Sequence, residues 1–119
     1  MRTLEPAVGR VIEAMPKAEL HLHLDGSVRV ATALELARTR GVDAPVTWGG
    51  MFDVLVAPMP CKDQAELLKA FDLPIALMQD AEALERIASE LVEDKAADNV
   101  RYAETVSYTH LTLPTILRV

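Results

Sequence analysis

The 119-residue sequence has few of the features that mark secreted, membrane-bound or nucleic-acid-binding proteins. Its single cysteine, Cys61, excludes a disulfide within the chain and suits a reducing compartment. Twelve basic residues against 18 acidic ones give a net charge of -6, which argues against a nucleic-acid or membrane-surface partner. No apolar run reaches the roughly 20 residues of a membrane span. Glu5, Pro6 and Gly9 stand where a signal peptide needs an apolar core, so we expect a soluble cytoplasmic protein.

Histidine is also scarce, and two of the three histidines lie close together. Residues 16–27 read PKAELHLHLDGS, in which apolar and polar residues alternate with the period of a β-strand. Because residues two apart lie on the same face of a strand, His21 and His23 share one face with Glu19 and Asp25. The opposite face, which we expect to pack under a helix layer, consists of Leu20, Leu22 and Leu24.

The remainder of the chain predicts several helices and one more strand. Strand, helices and strand in this order are typical of an α/β protein with a parallel sheet. Ser27 is expected to cap the helix that follows the first strand, and Gly41 and Asn99 to end helices. Pro74 is expected to kink or split the helix in which it lies. The predicted helices cover residues 4–15, 30–40, 51–56, 63–78 and 80–98, and the predicted strands cover 17–24 and 100–105.

The histidine pair predicts a metal site. It lies at the carboxyl end of the first strand, where α/β proteins build their sites, and Asp25 on the same face can orient an imidazole or bind a polar substrate group. The alternative is that the histidines serve packing and hydrogen bonding. Catalytic zinc takes three protein ligands and a water, and the only other histidine, His110, lies in no ligand motif. A cytidine-deaminase type of site is excluded, because the sequence has neither His-x-Glu nor Cys-x-x-Cys.

Three segments resemble the adenosine deaminase family. Residues 15–27 (MPKAELHLHLDGS) resemble the first barrel strand of that family. Residues 67–72 (LLKAFD) and the run from 83 to 104, which ends in VRYAE, match later elements in the same order. The resemblance covers about residues 10 to 105 and is more specific than the histidine pair alone.

The resemblance implies a metal-dependent hydrolase with a (β/α)8 barrel and a purine nucleoside as its small-molecule partner. In that family, zinc activates a water that attacks the amino-bearing carbon of adenine, and inosine and ammonia are formed. Carried over by position, His21 and His23 are ligands of Zn2+, and Asp25 contacts the ribose hydroxyl. Phe71 lines the apolar part of the nucleoside pocket or, equally, packs in the core.

The resemblance also implies that much of the barrel is not present. Such a barrel takes about 250 residues, so we expect an α/β fragment, mostly helical with about two strands. Residues 1–105 are expected to be the N-terminal barrel part and residues 106–119 a non-native tail, because this threonine-rich end has Arg118 as its only charged residue. The family's other ligands and its glutamate proton donor belong to later strands. The chain therefore holds no catalytic residue of its own and is expected to be inactive.

Three alternatives to an adenosine deaminase parent stay open. The parent enzyme could act on adenine or on aminodeoxyfutalosine, since those deaminases share the first-strand motif. The chain could instead be a small helical interaction module without enzymatic activity, which docks partners through the helix at 80–98. The sequence does not set the oligomeric state.

Overall fold

The computed structural model describes residues 5–107 and the backbone of residues 117 and 118. Within this part of the chain, helices and strands follow one another in the predicted order. The elements are α1 (Pro6–Ala14), β1 (Lys17–His23), α2 (Val30–Arg40), α3 (Trp48–Leu55), α4 (Gln64–Leu68), a 3-10 turn (Lys69–Phe71), α5 (Asp72–Leu77), α6 (Ala81–Ala97), β2 (Val100–Val106) and β3 (Leu117–Arg118).

The sheet confirms the predicted α/β class. β1 pairs with β2 in parallel, from Lys17 opposite Val100 to His23 opposite Val106, and the register shifts along the way. Parallel neighbours need a crossover connection, which the helices α2 to α6 supply. β3 pairs with the other side of β2 and runs antiparallel to it.

Two of the predicted helix ends are confirmed by backbone conformation. Gly41 ends α2 with φ 63°, and Asn99 follows α6 with φ 57°. Both values lie in the left-handed region, which glycine and asparagine tolerate better than other residues. The Asn99 side chain also donates from Nδ2 to the carbonyl of Ala14 at 2.7 Å, so this turn fixes the end of α1 next to the start of β2.

The structure shows one further boundary prediction to be wrong and confirms another. Ser27 does not cap α2: Arg29 occupies the N-cap position without a side-chain hydrogen bond, and the Ser27 hydroxyl donates to the carbonyl of His23. The helix predicted over 63–78 is split as expected, at the 3-10 turn Lys69–Phe71 that contains Ala70, the residue four positions before Pro74. Pro74 is the third residue of α5, where the missing N–H costs no helical hydrogen bond.

The core lies between the helices and the carboxyl end of β1. Leu24 is 4% exposed and Leu22 is half-buried, whereas Leu20 is 66% exposed, so the expected burial of the leucine face is wrong at Leu20. The described helices cover the end of β1 that carries the histidines and leave its middle open. None of them is long and apolar enough to cross a lipid bilayer. The buried apolar residues are Leu24, Ala33, Leu36, Ala37, Met51, Leu73, Leu77, Met78, Ala83, Ile87, Leu91 and Ala103.

The charged face of α6 contacts α2 and the residue that precedes it. The Glu90 carboxylate accepts hydrogen bonds from the Thr32 hydroxyl at 2.6 Å and from Nε of Arg86 at 3.0 Å, and its side chain is 14% exposed. Arg29, at the start of α2, donates to both carboxylate oxygens of Asp94. These contacts attach the loop that follows β1 to α6.

Candidate metal site

His21 and His23 lie side by side at the end of β1. Their Nε2 atoms are 3.2 Å apart, and the ring centroids are 5.0 Å apart with an interplanar angle of 76°. Two nitrogens bound to one tetrahedral zinc at 2.0–2.1 Å are separated by about 3.3 Å. The same distance allows the two rings to share one proton in an N–H···N hydrogen bond. The pair therefore has the spacing that two ligands of one metal ion require.

The backbone after β1 holds His23 in place. The amide of Leu24 donates to the carbonyl of Val106 at 2.9 Å, which extends the contact with β2 by one residue. The chain then turns, and the carbonyl of His23 accepts from the Gly26 amide at 3.1 Å and from the Ser27 hydroxyl at 2.6 Å. The imidazole pair thus lies on a strand end with defined hydrogen bonds on both sides.

Asp25 is buried next to the histidine pair, with 3% of its surface exposed. Its Oδ1 atom is 3.7 Å from Nδ1 of His23 and has no hydrogen-bond partner among the described residues. Burial raises the pKa of this carboxyl, while its turn's backbone amides and the charge of His23 act in the opposite direction. A buried carboxylate oxygen without a partner is costly, so this atom is placed to bind a donor from His23 or from a ligand.

Phe71 contacts the same group of side chains. Its ring lies 5.5 Å from the His23 ring at an interplanar angle of 56°. A Cβ atom at Gly26 would lie 3.4 Å from Cε1 of Phe71, at van der Waals contact, so the aromatic ring packs on the turn. The structure therefore brings together all four residues that the sequence singled out, and their roles as ligands and substrate contacts stay predictions.

The described residues supply an incomplete ligand set. Between residues 5 and 107, no group of three or more His, Cys, Asp or Glu side chains is arranged to hold a metal ion. The thiol of Cys61 donates to the carbonyl of Pro58 at 2.7 Å, and His110 lies outside the described residues. A catalytic zinc site with three protein ligands therefore needs a donor in addition to His21 and His23.

Two hydroxyl groups near the site were missed by sequence reasoning. Ser27 was expected to cap a helix and instead binds the carbonyl of His23. Thr105, which is 3% exposed, donates to the carbonyl of Leu22 across the two parallel strands at 3.3 Å. The sequence Asp25-Gly26-Ser27 is compatible with a turn as well as with a cap for the helix that follows. The contact of Thr105 depends on the register of β1 against β2, which the sequence alone does not give.

The sequence model of the adenosine deaminase family matches residues 16–115. The chain therefore belongs to the adenosine deaminase family, whose members are hydrolytic deaminases. The resemblance drawn from the first-strand motif is confirmed.

Individual relatives agree with the family match. The adenosine deaminase of Clostridium perfringens is 47% identical over 91 residues, which cover 76% of this chain and 27% of the relative. Among solved structures, Arabidopsis ADAL complexed with GMP is 38% identical to this chain with a TM-score of 0.63. The matched part covers 82% of this chain and 28% of the ADAL chain. The N6-methyl-AMP deaminase of Arabidopsis thaliana is 38% identical with a TM-score of 0.61, again over 82% and 28%.

The matches confirm the predicted fold class as well. The chain spans about 27% of the length of the curated relatives that it matches. The parallel strands β1 and β2 with their intervening helices correspond to the N-terminal part of a (β/α)8 barrel.

Proposed function

We propose that residues 1–105 are the N-terminal part of a zinc-dependent purine deaminase, and that the full-length parent hydrolyses adenosine to inosine and ammonia. The observation that carries this proposal is the 3.2 Å separation of the Nε2 atoms of His21 and His23 at the carboxyl end of β1. That edge of the sheet is where barrel enzymes build their active sites. The family match and the adenosine deaminase relatives support the reaction.

The residues of the site have separable tasks in this proposal. His21 and His23 would hold Zn2+, which when bound would supply a Lewis acid that lowers the pKa of water toward neutrality. Asp25 accepts a hydrogen bond from a ribose hydroxyl through its unpartnered Oδ1 atom. Phe71 packs against the apolar part of the nucleoside and against the His23 ring, and so limits the access of water to the pair.

The 119-residue chain on its own is proposed to be inactive. Two imidazoles are one protein ligand short of a catalytic zinc site, and the family's general acid lies in a part of the barrel that this chain does not contain. We expect the purified chain with added Zn2+ to release no ammonia from adenosine. Zinc-dependent inosine formation by this chain would overturn the proposal of inactivity.

Residues 106–119 are proposed to be a non-native tail, and the extension of the family match over residues 106–115 is the observation that stands against this proposal. Neighbouring strands of a (β/α)8 barrel are parallel, whereas β3 at residues 117 and 118 pairs antiparallel with β2. The composition of this segment, with Arg118 as its only charged residue, differs from that of the preceding chain. Independent amplification of the source DNA across the codons for 104–119 tests this: a frame that continues into further barrel strands supports the proposal, and the same tail and stop contradict it.

A purine nucleotide is the second candidate substrate. Solved structures 38% identical to this chain belong to an N6-methyl-AMP deaminase and to a protein complexed with GMP, so the parent could act on a 5′-phosphorylated or N6-methylated purine. The acidic chain and its single unpaired cysteine suit a cytoplasmic enzyme of purine metabolism in either case.

A substrate panel separates the candidates. The recovered full-length parent is incubated with adenosine, AMP, N6-methyl-AMP and adenine, and the released amine is measured. We expect adenosine to give the highest kcat/KM. Preference for N6-methyl-AMP or adenine would replace the substrate and keep the reaction class, and no amine from any of the four would contradict the proposed function.

A further inference from the structure

We propose that Ser27 is a positioning residue for the metal site, because its hydroxyl fixes the backbone of His23 and with it the spacing of the two imidazoles. The inference rests on the proposed function in so far as His21 and His23 are metal ligands. It adds a residue that does not contact the metal and that lies beyond the end of β1.

The direction of the backbone groups explains why the His23 carbonyl needs these donors. The Leu24 amide points to β2, since it donates to the carbonyl of Val106. Backbone groups of successive residues in a strand point to opposite sides, so the carbonyl of His23 points to the other edge of β1. At that edge the Gly26 amide and the Ser27 hydroxyl occupy both lone pairs of the carbonyl oxygen, at 3.1 and 2.6 Å.

The Ser27 hydroxyl acts on the site rather than on the following helix. α2 begins after Arg29, and no side chain caps it. The described hydrogen bond of the Ser27 hydroxyl therefore restrains only the turn 23–27 and the residue from which that turn starts, His23. Removal of the hydroxyl leaves the peptide group between His23 and Leu24 with two of its three hydrogen bonds, from the Leu24 amide to Val106 and from the Gly26 amide to the His23 carbonyl, and so loosens its position.

A change in the position of the His23 backbone alters the geometry of the imidazole pair. Residues that bind metals or substrates must be held within about 0.5 Å of their productive positions. Nε2 of His23 lies at the far end of its side chain, so a shift of the His23 backbone is passed on to the nitrogen that would bind the metal. Groups that orient metal ligands without binding the metal typically change its affinity by 10- to 100-fold. We expect the lower end of that range for Ser27.

The test uses the full 119-residue chain and Zn2+ alone. Two-dimensional NMR of the histidine ring resonances, assigned with His21→Gln, His23→Gln and His110→Gln variants, reports both the metal-free pair and its titration with Zn2+. Ser27→Ala is expected to shift the His21 and His23 ring signals in the metal-free chain and to weaken Zn2+ binding about tenfold. Ser27→Thr, which keeps the hydroxyl, is expected to restore both. Should Ser27→Ala fail to fold, Ser27→Cys keeps the volume and provides only a weak donor.

Thr39→Ala is the matched control. The Thr39 hydroxyl donates to the carbonyl of Glu35 at 2.9 Å, four residues back like the Ser27 bond, but within α2 and away from the histidines. Unchanged ring signals in Ser27→Ala, or an equal effect of Thr39→Ala, would overturn the inference. The unchanged 119-residue chain could bind no Zn2+ at the pair while Ser27→Ala still moves the ring signals of the metal-free chain. In that case the positioning role stands and the assignment of His21 and His23 as metal ligands fails.

Discussion

Glu90→Ala is the substitution that best tests how α2 and α6 are joined. Glu90 accepts from the Thr32 hydroxyl at 2.6 Å and from Arg86 at 3.0 Å. Thr32 is 1% exposed, so loss of the acceptor leaves its buried hydroxyl without this partner, which costs about 1–3 kcal/mol. The Arg86 side chain is 36% exposed and can rebind water, so its loss adds little. We expect the free energy of unfolding to fall by about 2 kcal/mol.

The measurement is urea unfolding followed by circular dichroism, with a double-mutant cycle between Glu90→Ala and Thr32→Val. Thr32→Val removes the donor as well, so the double variant should recover part of the loss, with a coupling energy of about 1 kcal/mol or more. Glu93→Ala on the same face is the control. Glu93 is 67% exposed and accepts from Arg29 at 3.0 Å, so its removal should matter far less. Equal effects of Glu90→Ala and Glu93→Ala would refute the reasoning, because the whole face would then be the solvated surface that its charge pattern suggests.

Three further predictions concern the fold that carries the site. Ile87 is 0% exposed, so Ile87→Ala should lower the free energy of unfolding in urea by about 2–5 kcal/mol. Val92 on the same helix is 39% exposed, so Val92→Ala should lower it much less. Equal losses would contradict the described core. Gly41→Ala should lower the free energy of unfolding by about 1 kcal/mol because of the φ of 63° alone, since nothing lies within 4 Å of an added Cβ. An unchanged unfolding midpoint would contradict that backbone conformation. The Arg40 guanidinium holds the pKa of Asp80 below its ordinary value. The pair therefore stabilises the folded chain above about pH 4, and this stabilisation is lost as the pH falls through the pKa of the folded state. The test compares the free energy of unfolding at pH 7 and at pH 3. We expect it to fall less between these two pH values in Asp80→Asn than in the unchanged chain, and an equal fall in both proteins would contradict the role of this pair.

The local features of the site could be predicted from the sequence because they depend on short-range periodicity. The alternation over residues 16–27 placed His21, His23 and Asp25 on one face, and the structure holds the Nε2 atoms of the two histidines 3.2 Å apart. Gly41 and Asn99 were found for the same reason, since each end of a helix depends on the conformation of one residue.

The features that sequence reasoning missed depend on partners distant in the chain. Leu20 belongs to the leucine face but is 66% exposed, because the described helices cover only the carboxyl end of β1. Glu90 has the same character in the sequence as its solvated neighbours, and only the position of Thr32 on α2 distinguishes it. The sequence around Ser27 allowed its side chain either to cap the next helix or to bond back to the strand. Its hydroxyl donates to the His23 carbonyl because that carbonyl points away from β2.

The central claim is that His21 and His23 hold the zinc of a purine deaminase. The most direct test is the zinc content of the purified full-length parent, measured by elemental analysis beside its rate of adenosine deamination, for the unchanged protein and for the His21→Ala and His23→Ala variants. We predict about one zinc per chain in the unchanged protein, and loss of both zinc and activity in each folded variant. A variant that loses either imidazole and keeps full zinc and full activity would contradict the claim.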